Sequence, residues 1–255
     1  MNIQLLAHRG GMGRAPENTL ASFKQALADG ADGYEFDVCL TQDKQPVLIH
    51  VDFNRDDIRK ATGCSIPLSK LTWRDVQQLT MENSDEPVVH LDDALQFTRE
   101  NQMPCFIEPK SDTPEILPII IERIRHFEVV HLTSILTFYL YKQLLTETKR
   151  LEPKLQTSAI LINPFANFLK AATDIEANRM ILGWSRINHF GLYNAFTGAV
   201  TRKVKKLRAN GIVVEAGFIR TAKDVAWAIS SQKSGGIDGL WVDDVPYIRN
   251  CLQEI

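Results

Sequence analysis

The chain has 255 residues, with 29 Lys and Arg against 31 Asp and Glu for a net charge of −2. Apolar residues make up 44%, with 14 Gly and 11 Pro, which excludes a collagenous or disordered chain. The near-neutral balance argues against nucleic acid or anionic lipid as a partner held by bulk charge.

The four cysteines, Cys39, Cys64, Cys105 and Cys251, form no CxxC pair, and three of them lie in or beside apolar stretches. Buried thiols in a reducing compartment are the simplest reading. The N-terminus lacks a basic start followed by a long apolar run, and no apolar stretch reaches the ~18 residues of a membrane span. A cytoplasmic protein with no stable membrane association is expected.

In chain order, an apolar strand is predicted over 3–7 and a helix over 19–29, with Asn18 or Thr19 as cap and Gly30 as stop. Strands follow over 34–38 and 46–50. The next units are a helix over 91–100 capped near Asp92, a strand over 104–108, a helix over 114–127 and a strand over 129–132. A helix over 138–149, a strand over 155–161, a helix over 166–178 and a strand over 180–184 continue the alternation. The chain closes with a helix over 198–210, a strand over 211–215, a helix over 221–232, a strand over 239–242 and a helix over 246–253. Strands separated by helices indicate a parallel sheet, either a (β/α)8 barrel or a doubly wound sheet. Residues 51–90 break the rhythm and read as an insertion near the sheet's C-terminal rim, a lid or a decorative excursion.

Chemistry-bearing residues fall at strand ends. His8-Arg9-Gly10 follows the first strand, His50 ends the strand over 46–50, and Glu108 ends the strand over 104–108 with Lys110 just beyond. Glu35 and Asp37, two apart on one strand, leave the same face. Two carboxylates aimed into an apolar interior resist ionisation, and a divalent cation relieves that cost. Glu108 can add a third oxygen, and an all-oxygen set suits Mg²⁺ or Ca²⁺ rather than zinc. The alternative is that these acids face solvent or pair with Arg and Lys. His8 and His50, read as ends of consecutive barrel strands beside the acids, suggest an acid–base pair. Arg9 and Lys110 on the same rim point to an anionic, phosphoryl-bearing substrate. Gly10-Gly11-Met12-Gly13 is no dinucleotide loop, because Pro16 stands where the third glycine belongs. His90, His126, His131 and His189 lack matching partners and read as structural or surface residues.

These residues occur in a recognisable order. His8-Arg9-Gly10, Ala15-Pro16-Glu17-Asn18-Thr19, Gly30-Ala31-Asp32, Glu35-x-Asp37, Thr41-x-Asp43 and Pro46-Val47-Leu48-Ile49-His50 resemble the glycerophosphodiester phosphodiesterase family. Arg59, Thr62-Gly63 and Leu71-Thr72 resemble its insertion, Glu108-Pro109-Lys110 its Glu-x-Lys strand end, and Gly236-Ile237-Asp238-Gly239 with Asp244-x-Pro246 its closing motif. The resemblance implies a (β/α)8 TIM barrel over 1–255 as one domain, with 51–90 as a lid-like insertion at the mouth. It implies metal-dependent hydrolysis of small glycerophosphodiesters to sn-glycerol 3-phosphate and an alcohol. In that reading Glu35, Asp37 and Glu108 bind one divalent cation, Mg²⁺ or Ca²⁺. His8 and His50 are the acid–base pair, Arg9 and Lys110 contact the phosphate, and Glu17 and Asn18 cap the first helix.

Two departures from the family pattern stand out. Val51 rather than Asp follows His50, with Asp52 one residue later. An ungapped count from Gly211 puts Gly217 where the family has a seventh-strand aromatic, with Phe218 next. Glu215 is expected in the barrel interior with a basic or hydroxyl partner, Lys110 or Arg9 first, in an accessory role at the phosphate site; the alternative is a bulge or a one-residue register shift that turns it to the outer surface. A phospholipase-like enzyme would need an apolar docking surface, and Trp73, Phe53 and Met81 in the insertion are too few to make one. A barrel that binds a phosphorylated ligand without turnover would lack a histidine or an acid, and all five positions are filled.

Overall fold

The computed structural model describes residues 3–53, 55–184, 187–230 and 236–254. Ten strands are present among them: β1 Gln4–Ala7, β2 Gly33–Leu40, β3 Pro46–Leu48, β4 Val89–His90, β5 Cys105–Pro109, β6 Thr133–Phe138, β7 Gln156–Leu161, β8 Arg179–Gly183, β9 Val213–Ile219 and β10 Gly239–Val242. The helices are α1 Leu20–Ala28, α2 Arg59–Thr62, α3 Trp73–Val76, α4 Leu91–Asn101, α5 Leu117–His126, α6 Lys142–Leu151, α7 Phe168–Thr173, α8 Ile187–Thr197, α9 Ala199–Ala209, α10 Ala222–Ser230 and α11 Val245–Gln253. Of the helix predicted over 221–232, residues 231 and 232 lie outside the described residues.

Eight strands pair in parallel in the order β1-β10-β9-β8-β7-β6-β5-β2, and β2 returns to β1. That ring is a closed (β/α)8 barrel, with β2 buried along nearly its whole length. The strand predicted over 46–50 is not a barrel stave: β3 runs antiparallel to β2, and β4 antiparallel to β3. Its apolar composition resembles that of a stave, but pairing direction is not written in composition. The strand predicted over 129–132 is displaced, because Val130–Leu132 forms a 3₁₀ turn and the strand itself holds Thr133, Ser134 and Thr137.

The barrel interior has three levels. At the base lie Ser134, hydrogen-bonded to Ser158 at 2.8 Å, and Arg179, paired with Glu215. Leu6, Phe106, Leu136, Ile160, Ile181 and Trp241 form an apolar plug above them. The polar residues of the mouth stand above the plug. A larger apolar layer, including Phe23, Leu95, Ile120, Leu145, Phe168, Val204 and Ile248, glues the helices to the outside of the ring.

Residues 49–88 leave between β3 and β4 and build a small core of their own from Ile49, Val51, Ile58, Leu68, Val76 and Val88 against Cys39 and Val47. Val51 belongs to that core, whereas Asp52 is exposed and lies 3.7 Å from Arg55. No helix among the described residues is long and apolar enough to cross a membrane.

Candidate active site

The His8-Arg9-Gly10 turn begins where β1 ends. Gly10 sits at φ +78°, and a Cβ there would lie 2.2 Å from Ser22 Oγ, so the tight approach of turn and helix requires glycine. The turn aims the Arg9 backbone N–H at Glu35 Oε2, 2.9 Å away. Glu17 and Asn18 do not cap α1. Thr19 does, in a reciprocal capping box with Ser22. Asn18 instead clamps Asp37: its Nδ2 donates to Oδ2 at 3.0 Å and its Oδ1 accepts from the Asp37 N–H at 3.0 Å. Glu17 accepts from Arg9 at 2.9 Å. The cap of α4 is His90, two residues before Asp92, and its ring accepts from the Asp92 N–H.

Parallel pairing sets Asp37 opposite Glu108. The facing oxygens of Glu35, Asp37 and Glu108 all lie within 4.8 Å of one another. Glu35 Oε1, Asp37 Oδ1 and Glu108 Oε1 are buried and accept no hydrogen bond. Buried carboxylate oxygens are normally satisfied, so three without a hydrogen bond in one cluster are unusual, even with Lys110 Nζ 3.3 Å from Asp37 Oδ1. An oxygen-only set of this size fits a hard divalent cation.

Electrostatics sharpen the picture. Burial pushes Glu35 well above the usual carboxylate range, and the charges of Asp37 and Glu108 add to the rise. Burial also lifts Glu108, against the pull of Lys110, to about 7. Asp37 is buried as deeply, yet Lys110, Arg9 and His50 outweigh burial and hold it below its ordinary value. Lys110 Nζ stands 3.1 Å from Glu108 and 3.3 Å from Asp37, and Arg9 Nε stands 3.2 Å from Asp37. Arg9 Nε is itself buried without a hydrogen-bond acceptor.

His8 is oriented by a chain of contacts that the sequence reading missed. Its Nδ1 lies 2.8 Å from Asp243 Oδ1, and Asp243 Oδ2 accepts from Arg220 at 2.8 Å. A proton on Nδ1 satisfies the carboxylate and leaves the Nε2 lone pair facing the site, 3.9 Å from Glu35. Burial lowers His8 to about 4 despite the Asp243 hydrogen bond. Burial likewise lowers His50, which is half-buried beyond the end of β3, to about 4. Asp243 was legible in principle, since it follows the last barrel strand directly, at the position where catalytic groups collect.

Aromatic rings close the flanks. Phe218 packs on His8 at 4.0 Å and Trp184 meets its edge at 5.6 Å. An aromatic ring of β9, Phe218, thus lies against His8. β9 bulges beside it: Leu240 pairs with Ala216 but Val242 pairs with Ile219. Gly217 is crowded against Trp241, with only 3.0 Å for a Cβ. On the other flank, Phe53 of the excursion stacks on Tyr141 at 4.3 Å and lies 4.6 Å beneath the Lys110 ammonium.

Glu215 is in the barrel interior, but its partners are Arg179 and the Trp241 indole N–H at 2.9 Å, not Lys110 or Arg9. It belongs to the base of the barrel, below the apolar plug. Lys110 and Arg9 are committed to the acids of the mouth.

Comparison with known proteins agrees with this geometry. The chain is similar along its whole length to the glycerophosphodiester phosphodiesterase of Caldanaerobacter subterraneus subsp. tengcongensis, at 24% identity over 263 residues covering 100% of this chain and 99% of that one. The crystal structure of a glycerophosphodiester phosphodiesterase from Agrobacterium tumefaciens shares the fold with a TM-score of 0.77 at 19% identity, covering 98% of this chain and 100% of that one. An Oleispira antarctica phosphodiesterase, solved in complex with the product sn-glycerol-3-phosphate, shares it with a TM-score of 0.79 at 20% identity, covering 98% and 96%. The model of the glycerophosphoryl diester phosphodiesterase family matches residues 8–246, and the chain belongs to that enzyme family.

Proposed function

We propose that the chain hydrolyses small glycerophosphodiesters to sn-glycerol 3-phosphate and an alcohol, with one divalent cation held by Glu35, Asp37 and Glu108. The observation that carries this reading is the cluster of three buried carboxylates, each with one oxygen that accepts no hydrogen bond, flanked by two cations and an oriented imidazole. When bound, a divalent ion supplies Lewis-acid polarisation of the phosphoryl group and offsets its developing charge. Arg9 and Lys110, which stand beside the acids they pair with, contact the phosphoryl oxygens. His8 Nε2 accepts the proton of the attacking oxygen, while Asp243 steadies the imidazolium that forms. His50, at the mouth, exchanges a proton with the departing alcohol. Phe53 and the excursion that carries it cover the Lys110 side of the site. The four free thiols, three of them buried, suit a reducing compartment such as the cytoplasm.

The test is release of sn-glycerol 3-phosphate from glycerophosphocholine, read by a coupled dehydrogenase. Turnover is expected to vanish in EDTA and to return with Mg²⁺ or Ca²⁺. Undiminished turnover by thoroughly chelated protein would contradict the metal assignment.

A further inference from the structure

Asp243 can orient His8 only if its own carboxylate is fixed. The terminal torsion of an aspartate is broad and roughly two-fold, so a carboxylate held through one oxygen swings about that bond. Asp243 uses Oδ1 for His8 Nδ1, 2.8 Å away. Its backbone is pinned to the loop that follows His8, because its carbonyl accepts from the Gly13 N–H at 3.1 Å. Oδ2 is left to set the plane of the carboxylate, and Arg220 Nε donates to it at 2.8 Å. Burial raises the Asp243 carboxyl, but His8 and Arg220 outweigh it and hold the group down to about 2. Asp243 is therefore charged near neutral pH.

Arg220 is held from two further directions. Its guanidinium lies over the ring of Phe218, 4.8 Å from the centroid, and that ring packs on His8. Its backbone N–H donates to Asp224 Oδ2 at 3.2 Å, and Asp224 is locked to Thr221 in a reciprocal cap at the start of α10. The Arg220 side chain is 54% exposed, and an ion pair that open contributes little to stability. What sets it apart is its place behind the imidazole. Lys223 offers a contrast: it lines the same groove as Arg220, beside Trp184 and Phe218, but has no hydrogen bond or ion pair among the described residues. Two cations thus stand on one bank, and one of them is joined to Asp243.

We propose that Arg220 is a positioning residue for the hydrolysis: by fixing the plane of the Asp243 carboxylate, it sets the tautomer and aim of the His8 imidazole. The inference rests on the hydrolytic reading above. Arg220 exchanges no proton and touches no reacting atom. The proton of the attacking oxygen moves to His8 Nε2, Nδ1 keeps its own, and Arg220 holds the acceptor of that second proton in place.

The experiment uses two variants of Arg220. Arg220→Met keeps an unbranched apolar stem against Phe218 and removes the donor, whereas Arg220→Lys keeps a charged donor. With glycerophosphocholine and saturating Mg²⁺ or Ca²⁺, Arg220→Met should lower kcat by about 10–100-fold and change KM by less than about twofold. Arg220→Lys should recover part of the loss. Once Asp243→Asn is present, Arg220→Met should lower kcat no further, because the two residues act on His8 as one unit. Lys223→Met should leave kcat and KM unchanged. The unfolding temperature of Arg220→Met should move by no more than about 4 °C. Proton NMR of EDTA-treated, ¹⁵N-histidine-labelled protein supplies a readout apart from turnover. The His8 Nδ1–H should give a slowly exchanging downfield signal in the parent and in Arg220→Lys, and that signal should broaden or vanish in Arg220→Met.

Full kcat in Arg220→Met, or an additive loss on top of Asp243→Asn, would overturn the proposal. A loss carried by KM alone would make Arg220 a substrate contact and overturn it as well. An equal loss in Lys223→Met would reduce the effect to bulk charge, with the same consequence. If the parent cleaves no diester, the hydrolytic reading fails and the NMR signal decides alone: its loss in Arg220→Met upholds the positioning of His8, and its persistence overturns it.

Discussion

The barrel buries carboxylates at two levels, and the two are solved in opposite ways. At the base, Glu215 has Arg179 on one oxygen and the Trp241 indole on the other. At the mouth, Glu35, Asp37 and Glu108 crowd together, and each keeps one oxygen without a hydrogen bond. Burial is equally deep at both levels, so burial does not distinguish them. Satisfaction does. A buried acid whose valences are filled by the protein needs nothing further, whereas the cluster at the mouth keeps oxygens without a hydrogen bond even beside Arg9 and Lys110, which is the basis of the cation proposal.

Variants that break the comparison at the mouth should lose turnover first. His8→Ala and His50→Ala are each expected to lower kcat by about 10²–10⁴, with circular dichroism reporting an intact fold. Near-full turnover in either variant would remove that histidine from the acid–base pair.

The base should show the reverse profile. Arg179→Met strands Glu215 in the interior and is expected to cost about 3–5 kcal/mol in denaturant unfolding, with kcat close to that of the parent chain. Burial already raises the Glu215 carboxyl despite Arg179 and Trp241, and loss of the guanidinium raises it further. An acid raised in the folded state binds more protons there than when unfolded, so the loss should deepen as pH rises above the unfolded carboxylate value. Adding Glu215→Leu should recover much of the stability. A drop in kcat with unchanged stability would place Glu215 in the active site after all.

Asn18→Ala sharpens the comparison most finely. It removes both hydrogen bonds that orient Asp37. Ion affinity and activity are expected to fall by about 10–100-fold while the three carboxylates remain. An unchanged ion titration would return Asn18 to a role in the helix entry alone.

The carboxylates and histidines were legible because strand ends and i, i+2 spacing are local properties. Partners joined across the barrel were not. Arg179 meets Glu215 from 36 residues away and Asp243 meets His8 from 235 away, and no periodicity links them. β3 read as a barrel stave because Pro46–Leu48 is as apolar as one, and only pairing reveals its antiparallel direction. Which of Gly217 and Phe218 faces the site was likewise not legible, since the one extra residue of the β9 bulge shifts which side chain faces inward. Asn18 read as a helix cap because a cap and an outward-reaching clamp share the same residue types.

The claim that the mouth acids are short of a cation is tested most directly by unfolding. EDTA-treated parent chain, Glu35→Gln and Glu215→Gln would each be melted above pH 7 while Mg²⁺ or Ca²⁺ is titrated in. Without the ion, the raised Glu35 and Glu108 make the parent less stable as pH climbs, because the folded state must then give up protons that it holds more tightly than the unfolded chain does. The account predicts that saturating ion raises the unfolding temperature of the parent and of Glu215→Gln, by about 2.7 kcal/mol of stability at a hundredfold excess over Kd, and that Glu35→Gln loses most of that response. An equal rise in Glu35→Gln, or no rise in the parent with either ion, would contradict it.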